Sequence, residues 1–298
     1  MELRHLRYFI SVADELSFTA AAARLRTAQP SLSQQIRDLE RELGTALFSR
    51  SSRRVELTAA GAAFLRHARA ILAQTAQAAE EARAIGLGRL GTLDIGLTGS
   101  VLLGPLGALI SAFSVRFPQV DVRLHEMPPQ EQQVALHAHR TDISFLRRPI
   151  DDPDLISELA WRESVGVALP KDHALAAARR SIPLSSLRDE SHVFLRLKDS
   201  RFAQYLRDCC IEAGFAPRIS QQVVESQSLT SLVAAGLGVA LVPDSLRNLS
   251  RPGVVYKSLK RPAPAADVRM LYRPDRSAVL EQFIELARAF LKNTPQHL

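Results

Sequence analysis

The first 58 residues carry apolar positions at helical spacing in successive stretches. Leu6, Phe9 and Ala13 define the apolar stripe of a first helix, and a second helix is predicted from Ala20 to Leu25, after the capping residues Ser17-Phe18-Thr19. A third helix begins near residue 30, and its apolar residues recur at intervals of four, three and four, at Leu32, Ile36, Leu39 and Leu43. Short helices joined by a tight turn predict a helix-turn-helix.

The side of the third helix opposite its apolar stripe carries small and hydrogen-bonding residues. These residues are Pro30, Ser33, Gln34, Arg37 and Arg41. Gln and Ser can hydrogen-bond base edges, Arg can bind phosphate or guanine, and small residues allow close approach to the major groove. We interpret this helix as a DNA-recognition helix; from these residues alone, an ordinary solvated helix face is the alternative.

A hairpin with a basic tip is predicted next. The β-type runs Leu47–Arg50 and Val55–Leu57 flank the segment Ser51-Ser52-Arg53-Arg54. Arginine in such a wing can enter the minor groove or contact phosphates. Residues 1–58 contain nine Arg against seven acidic residues, a net charge of only +2. Arg50, Arg53 and Arg54 lie together without an acidic residue among them, so the positive charge is concentrated at this hairpin.

Residues 58–85 form an uninterrupted helical pattern without proline. Small and apolar residues recur in it at steps of four and three, which predicts a seam for the helix of a partner subunit. The seam comprises Phe64, Ala68, Ile71, Thr75, Ala78, Ala82 and Ile85. The alternative is an alanine-rich helix packed on its own winged domain.

The glycine string at 86–91 matches G-x-G-x-x-G, but a helix precedes it and a strand follows, the reverse of a dinucleotide site.

From Thr92 onward, strand-like and helical segments alternate, which indicates α/β organisation with parallel strands. Ligands in such folds bind at the carboxyl ends of the strands. Thr98 and Ser100 follow the first strand, Arg147 ends the strand from Ile143, and Phe202 comes shortly after the strand from His192. Hydroxyls, an arginine and an aromatic ring suit a small organic acid. The alternatives are turn or cap roles for the hydroxyls, a solvated charge for the adjacent Arg148, and a core position for the ring.

Composition excludes several classes of protein. A chain of 298 residues, 46% hydrophobic and 23% charged, is neither a disulfide scaffold nor a collagen nor a disordered chain. The net charge of +7 fits either a polyanionic partner or an ordinary soluble surface.

Cys209 and Cys210 are adjacent and are expected to be reduced thiols, with a redox-sensing pair as the alternative. We expect no signal peptide, no membrane span in the glycine-rich window 95–115, and a cytoplasmic protein.

Sequence motifs for catalysis are absent. The chain has no G-x-S-x-G, no Walker loop and no H-E-x-x-H. His137 and His139 straddle one residue and point apart on a helix, which argues against a metal pair. We therefore expect a protein that is not an enzyme and needs no cofactor or metal. The competing hypothesis is an α/β enzyme acting on sugars or acids with an N-terminal DNA-binding module.

The segment Phe18–Arg37, with Leu39-Glu40, Gly44, Leu47–Arg50 and Leu57–Gly61, resembles the LysR-type transcriptional regulators of bacteria. The resemblance is specific over about the first 65 residues, and the length and layout extend it to the whole chain. It implies an N-terminal all-α winged helix-turn-helix, a long linker helix, and a C-terminal α/β periplasmic-binding-protein-like domain of two subdomains. The expected bounds are 1–58 for the DNA-binding domain (helix-turn-helix about 18–37), 59–88 for the linker helix and 89–298 for the effector domain, with subdomain I about 91–162 and 266–298 and subdomain II about 163–265.

The resemblance also implies binding residues and partners. The family's DNA contacts fall on Gln29, Pro30, Ser33, Gln34 and Arg53, to which the basic positions Arg37 and Arg54 are added. The implied partners are double-stranded promoter DNA, a small organic effector, RNA polymerase, and further copies of the chain in a dimer of dimers. Pairing would use the linker helices, through Phe64, Ala68, Ile71, Ala78 and Ile85. On induction, bent DNA would relax without release of the protein.

Within the family, the chain most resembles the branch that senses aromatic acids and catechol breakdown products. The pocket hydroxyl of that branch matches Ser100, and its later aromatic position matches Phe202. The chain departs from the branch after the second strand, where Met127-Pro128-Pro129 stands in place of a frequent hydroxyl residue. The identity of the effector is therefore open.

Overall fold

A computed structural model describes residues 1–50, 54–149 and 151–293. The chain divides into two compact units, Met1–Ala84 and Ile85–Leu298. The helices and strands at the start of the chain are α1 (Leu3–Glu15), α2 (Phe18–Arg24), α3 (Gln29–Leu43), β1 (Phe48–Arg50), β2 (Val55–Leu57) and α4 (Ala59–Gly86). The predicted helix-turn-helix, wing and connector helix are all present.

Local sequence signals begin and end the helices of the N-terminal unit. The Ser17 hydroxyl accepts a hydrogen bond from the Ala20 N–H (3.3 Å) and caps α2. Arg26 adopts a positive φ (52°) in the turn between α2 and α3. Gly44 ends α3 at φ 67°, a left-handed conformation that glycine adopts without steric cost.

The core of the N-terminal unit is built around Phe9, which is fully buried. Its ring centroid lies 5.2 Å from that of Phe48 and 5.1 Å from that of Phe64. Burying one such ring contributes about 1.5–3 kcal/mol. Ala68 is 0% exposed and belongs to the same core.

This core corrects the first part of the predicted dimer seam. The partner contact predicted for Ala68 is wrong, because the side chain is buried against its own winged domain, and the Phe64 ring packs on Phe9. The apolar stripe of α4 thus first covers the domain from which it emerges. Further along, Ile71, Ala78 and Ile85 are exposed, and their pairing with a second chain stays a prediction.

The second unit alternates strands and helices. In chain order these are β3 (Leu90–Leu97), α5 (Leu106–Arg116), β4 (Gln119–Glu126), α6 (Pro129–His137), β5 (Ile143–Arg147), β6 (Ile156–Trp161), β7 (Val165–Pro170), β8 (Ser191–Leu195), α7 (Arg201–Glu212), β9 (Arg218–Val223), α8 (Ser226–Ala234), β10 (Ala240–Pro243), β11 (Val254–Ser258), β12 (Val268–Tyr272) and α9 (Ala278–Asn293). The strands predicted before Thr98, from Ile143 and from His192 are observed as β3, β5 and β8.

The strands form two lobes. The first lobe has a five-stranded sheet in the order β4-β3-β5-β12-β6, in which β3 is parallel to β4 and β5 while β12 is antiparallel to its neighbours. The second lobe has an antiparallel sheet, β10-β7-β11, and a parallel pair, β8-β9. The expected parallel organisation therefore holds for β3, β4 and β5 but not for the second lobe's three-stranded sheet.

Strands β6 and β11 have no continuous apolar pattern in the sequence. Both are edge strands of their sheets, and edge strands are partly exposed. Polar residues therefore interrupt their apolar pattern, as Glu158 does in β6 and Lys257 does in β11.

The chain passes between the lobes twice, and the two passages lie side by side. The first connects β6 to β7 and the second connects β11 to β12. Ser164 and Ala265 form an antiparallel bridge, and the Val165 N–H donates to the Pro264 carbonyl (3.0 Å). Residues at this junction therefore contact both lobes.

Among the described residues, no helix is both long and apolar enough to cross a bilayer.

Candidate DNA-binding and effector-binding sites

Helix α3 turns a polar face to solvent because its opposite face is buried. Leu32, Ile36 and Leu39 are 0% exposed, so the residues between them point outward. The outward residues include Gln29, Pro30, Gln34 and Arg37, which are exposed, and Ser33, which is half-buried. The structure thus brings these predicted DNA-contacting residues together on one helix face.

Hydrogen bonds organise this face before any ligand binds. Gln29 Nε2 donates to Ser33 Oγ (2.9 Å). Arg37 Nη2 donates to Gln34 Oε1 (2.8 Å), and Gln34 Nε2 donates to Asp38 Oδ1 (3.0 Å). Sequence reasoning overlooked Asp38, although a Gln-to-Asp spacing of four residues is a known stabilising pair on helices. The Gln34 amide is held by partners on both sides, which limits its rotamers.

The wing is attached to the recognition helix by a carboxylate to which the sequence analysis assigned no role. Glu40 Oε1 accepts hydrogen bonds from the backbone N–H groups of Leu47 (2.9 Å) and Phe48 (3.1 Å). A side chain at Gly61 would place its Cβ 2.0 Å from the Leu47 carbonyl oxygen, so only glycine allows α4 to approach the wing this closely.

The basic tip of the wing is described in part. Arg53 lies outside the described residues, and Arg54 is exposed immediately before β2. The two strands pair in antiparallel register, Phe48 with Leu57 and Arg50 with Val55. The hairpin therefore carries Arg54 beside its tip, on the unit that contains α3.

The second candidate site lies at the junction of the two lobes. Strand β3 delivers Ser100 into a short 3-10 helix, and β5 delivers Arg147. Arg147 Nη1 donates to Ser100 Oγ (3.0 Å), and the guanidinium carbon lies 5.8 Å from the Phe202 ring centroid. Three of the predicted effector-binding residues therefore converge. Thr98 lies two residues before Ser100, but its side chain forms no hydrogen bond with a described residue.

Arg147 is buried and already neutralised. Its Nη2 donates to Glu163 Oε2 (2.7 Å), its Nε donates to the Ala266 carbonyl (3.0 Å), and the two charged side chains are 5% and 8% exposed. Such a pair offsets its desolvation only with good geometry and further hydrogen bonds. Both are present, because Glu163 Oε1 also accepts from the Ser245 N–H (2.7 Å).

We call Ser100, Arg147, Glu163 and Phe202 the junction cluster. It links the first lobe, both passages and the second lobe through one guanidinium. Glu163 was not singled out by the sequence, since it lies in a connection between strands without a recognisable motif. An effector carboxylate that bound Arg147 would compete with Glu163 for the guanidinium.

Phe202 connects the junction cluster to an apolar cavity in the second lobe. It follows Ser200, whose hydroxyl accepts from the Ala203 N–H (3.1 Å) and begins α7. The lining of the cavity includes Phe194, Phe202, Ser226, Leu229, Leu241 and Leu246. Close by, the buried Ser245 hydroxyl has no hydrogen-bond partner among the described residues. The cavity's free volume of about 20 Å³ has room for roughly one water molecule, so in this arrangement the cavity is too small for an organic effector.

The adjacent cysteines are not activated thiols. Burial raises the pKa of Cys210 to about 12, and burial also raises the pKa of Cys209. The thiolate is the reactive form, so the surroundings of both residues oppose redox chemistry at neutral pH.

A winged helix-turn-helix with an exposed polar recognition face, followed by a two-lobed α/β domain with a polar junction, defines a ligand-responsive DNA-binding regulator. Comparison with known proteins supports this class at two levels. The family model "Bacterial regulatory helix-turn-helix protein, lysR family" matches residues 3–62, and "LysR substrate binding domain" matches residues 87–292.

Relatives match over nearly the whole chain. The HTH-type transcriptional regulator AlsR of Bacillus subtilis is 38% identical, over 96% of this chain and 95% of that protein. The Hca operon transcriptional activator HcaR of Escherichia coli is 33% identical, over 97% of both chains. The crystal structure of CbnR, a LysR family transcriptional regulator, aligns with a TM-score of 0.89 at 30% identity, over 97% of this chain and 100% of that one. Full-length CbnR has also been determined in complex with its target DNA.

The chain belongs to the LysR family. It is a DNA-binding transcriptional regulator with an effector-binding domain, and the predicted family, fold class and general function are confirmed. The family models and the named relatives are transcriptional regulators rather than enzymes.

Proposed function

We propose that this regulator senses a small organic acid, with aromatic acids as the first class to test, at the junction cluster. Thr98, Ser100 and Phe202 contact the effector, and Arg147 responds through its hydrogen bond to Ser100. The observation that carries the proposal is the convergence of Ser100, Arg147 and Phe202 where both passages between the lobes meet. A ligand bound there acts on both lobes at once.

The proposed DNA reader comprises the exposed face of α3 and the wing. Gln29, Pro30, Ser33, Gln34 and Arg37 contact the major groove, and Arg53 and Arg54 contact the backbone or the minor groove. Pairing of linker helices through Ile71, Ala78 and Ile85 gives a dimer, and two dimers give the DNA-bound tetramer. The domain bounds are 1–58, 59–88 and 89–298.

The protein acts in the bacterial cytoplasm on chromosomal DNA, contacts RNA polymerase, and turns over no substrate. Its effector shifts the tetramer between arrangements that bend DNA differently, by no more than its difference in affinity for them.

The single tryptophan provides a direct test. Trp161 lies two residues before Glu163 and is 7% exposed, so its fluorescence reports on the junction. We would titrate the full chain with aromatic and aliphatic acids, follow this signal, and footprint promoter DNA in parallel. Ser100→Ala is expected to abolish the response to an active acid while promoter binding persists. Ser114→Ala, at an exposed serine of α5, should respond like wild type.

Two results would contradict this proposal. One is a normal response of Ser100→Ala, and the other is release of wild-type protein from DNA by the active acid. Turnover of the acid would favour the competing enzyme hypothesis.

A further inference from the structure

The positive charge of the second unit is concentrated in two short segments. Residues 171–190 and 251–261 together contain eight Lys or Arg and three acidic residues, a net charge of +5 out of +7 for the whole chain. The other residues from 59 to 298 contain 21 basic and 21 acidic residues, so they are neutral overall. The DNA-binding segment 1–58 is only +2.

The fold brings these segments together along strand β11, the edge of the second lobe's antiparallel sheet. At one end of β11 the Lys171 N–H donates to the Gly253 carbonyl (2.9 Å). At the other end Lys257 Nζ donates to the Ala178 carbonyl (2.7 Å), and Ile182 pairs with Leu259 in a parallel bridge. The five residues of β11 span about 17 Å.

Six cationic side chains along this edge are exposed, and we call them the basic surface. They are Lys171, Arg179, Arg180, Arg251, Lys260 and Arg261. Within the part of the chain that the structure describes, none of the six forms an ion pair. Some arginines elsewhere on the second unit are paired with acidic neighbours, as in Arg123–Asp121, Arg207–Asp208 and Arg288–Glu158.

The chemistry of the basic surface favours phosphates over a protein partner. Protein interfaces depend on a buried apolar or aromatic centre. The exposed large hydrophobic residues of the described chain all lie outside 171–190 and 251–261. Long, unpaired cations in segments without an exposed large hydrophobic residue suit sequence-independent contact with a nucleic-acid backbone.

We propose that the basic surface binds the phosphate backbone of the DNA that flanks the site read by α3. Once the N-terminal unit is bound, flanking DNA is present at a high effective concentration, so weak contacts by the effector domain add affinity. This proposal rests on DNA reading by the N-terminal unit and extends it, because it gives the effector domain its own contact with DNA.

The test compares two duplexes and two variants of the full chain. One duplex carries the minimal binding site, and the other carries the same site with about 30 base pairs of flank on each side, roughly three helical turns. The first variant replaces Arg179, Arg180, Lys260 and Arg261 by Ala. The control replaces Arg116, Arg140, Arg276 and Lys292, exposed cations of the first lobe, and removes the same charge. Affinity is measured between about 50 and 200 mM salt, the range over which phosphate contacts weaken.

We expect the DNA affinity of the basic-surface variant to depend less steeply on salt than that of wild type, and only on the long duplex. At about 0.9 per phosphate contact, its slope of log affinity against log salt should become shallower by about 2 to 4, while the control keeps the wild-type slope. An unchanged slope, or equal losses on both duplexes or in both variants, would overturn the proposal. Unchanged DNA binding with reduced transcription by purified RNA polymerase would assign the surface to an acidic protein instead. If the wild-type protein did not bind the minimal duplex, DNA reading by α3 and the wing would be refuted. That result is distinguishable from a failure of the basic surface to bind flanking DNA.

Discussion

The α3 face and the junction cluster both contain hydrogen-bonded Ser, Arg and carboxylate side chains, but they differ in their exposure to solvent. On α3, Arg37 and Gln34 are exposed, so each hydrogen bond competes with solvent and contributes little to stability. At the junction, Arg147 and Glu163 are more than 90% buried, so losing one partner leaves a charge without solvent. The first network can exchange its partners for DNA at small cost, whereas the second holds two lobes in a defined arrangement.

The comparison explains why one site suits recognition and the other suits switching. A surface network can adapt to base edges without unfolding the helix beneath it. A buried network has few alternative arrangements, so a ligand that takes the Ser100 hydroxyl removes a hydrogen bond that Arg147 cannot easily replace. The following predictions test this contrast.

The largest effect is expected at Glu163. Glu163→Ala leaves Arg147 buried and unpaired, so the free energy of unfolding should fall by about 3–5 kcal/mol. Urea unfolding followed by Trp161 fluorescence measures this in the second unit. Asp208→Ala, which removes the exposed partner of Arg207, should cost less than about 1 kcal/mol. Replacing both Arg147 and Glu163 by Met and Leu should cost less than Glu163→Ala alone. A loss at Glu163 as small as that at Asp208 would remove the contrast.

A smaller effect is expected at Gln34, and it should appear in binding rather than folding. Gln34→Ala should weaken the cognate site by about 1–3 kcal/mol and relax the base preference at one position. Selection and sequencing of bound DNA measures the preference, and thermal unfolding of the variant should match wild type. An unchanged preference would mean that Gln34 only supports Arg37 on the helix surface.

The smallest effect is a pH dependence confined to the second unit. His192 is 0% exposed, and burial lowers its pKa. Above pH about 6.5 the residue is neutral in both folded and unfolded chains. As the pH falls below this value, His192 is protonated in the unfolded chain while it is still neutral in the folded chain. The free energy of unfolding therefore falls by up to about 1.4 kcal/mol per pH unit.

Urea unfolding at pH 7, 6 and 5 measures this loss. His192→Gln should flatten the dependence over this range, whereas His139→Asn, at an exposed histidine, should leave it unchanged. Equal slopes in His192→Gln and wild type would show that other groups carry the effect.

Local patterns predicted the elements well and the partners of side chains poorly. The stripe at Leu32, Ile36 and Leu39 identified α3 and its exposed face, because burial of one side of a helix determines what the other side presents. The same reasoning failed for Ala68, because a helical stripe does not show whether its own domain or a second chain covers it. Asp38 and Glu163 were overlooked and Glu40 was named without a role, since a single carboxylate has no periodic signal.

The sequence by itself determined the family, the order of the elements and the residues that α3 turns outward, because these depend on spacing within a few turns of chain. Only the tertiary structure decided that Glu163 neutralises Arg147, and that two basic segments separated by 60 residues line one sheet edge. Both depend on which strands become neighbours. That pairing is settled by the burial of the whole core, and no short stretch of sequence contains it.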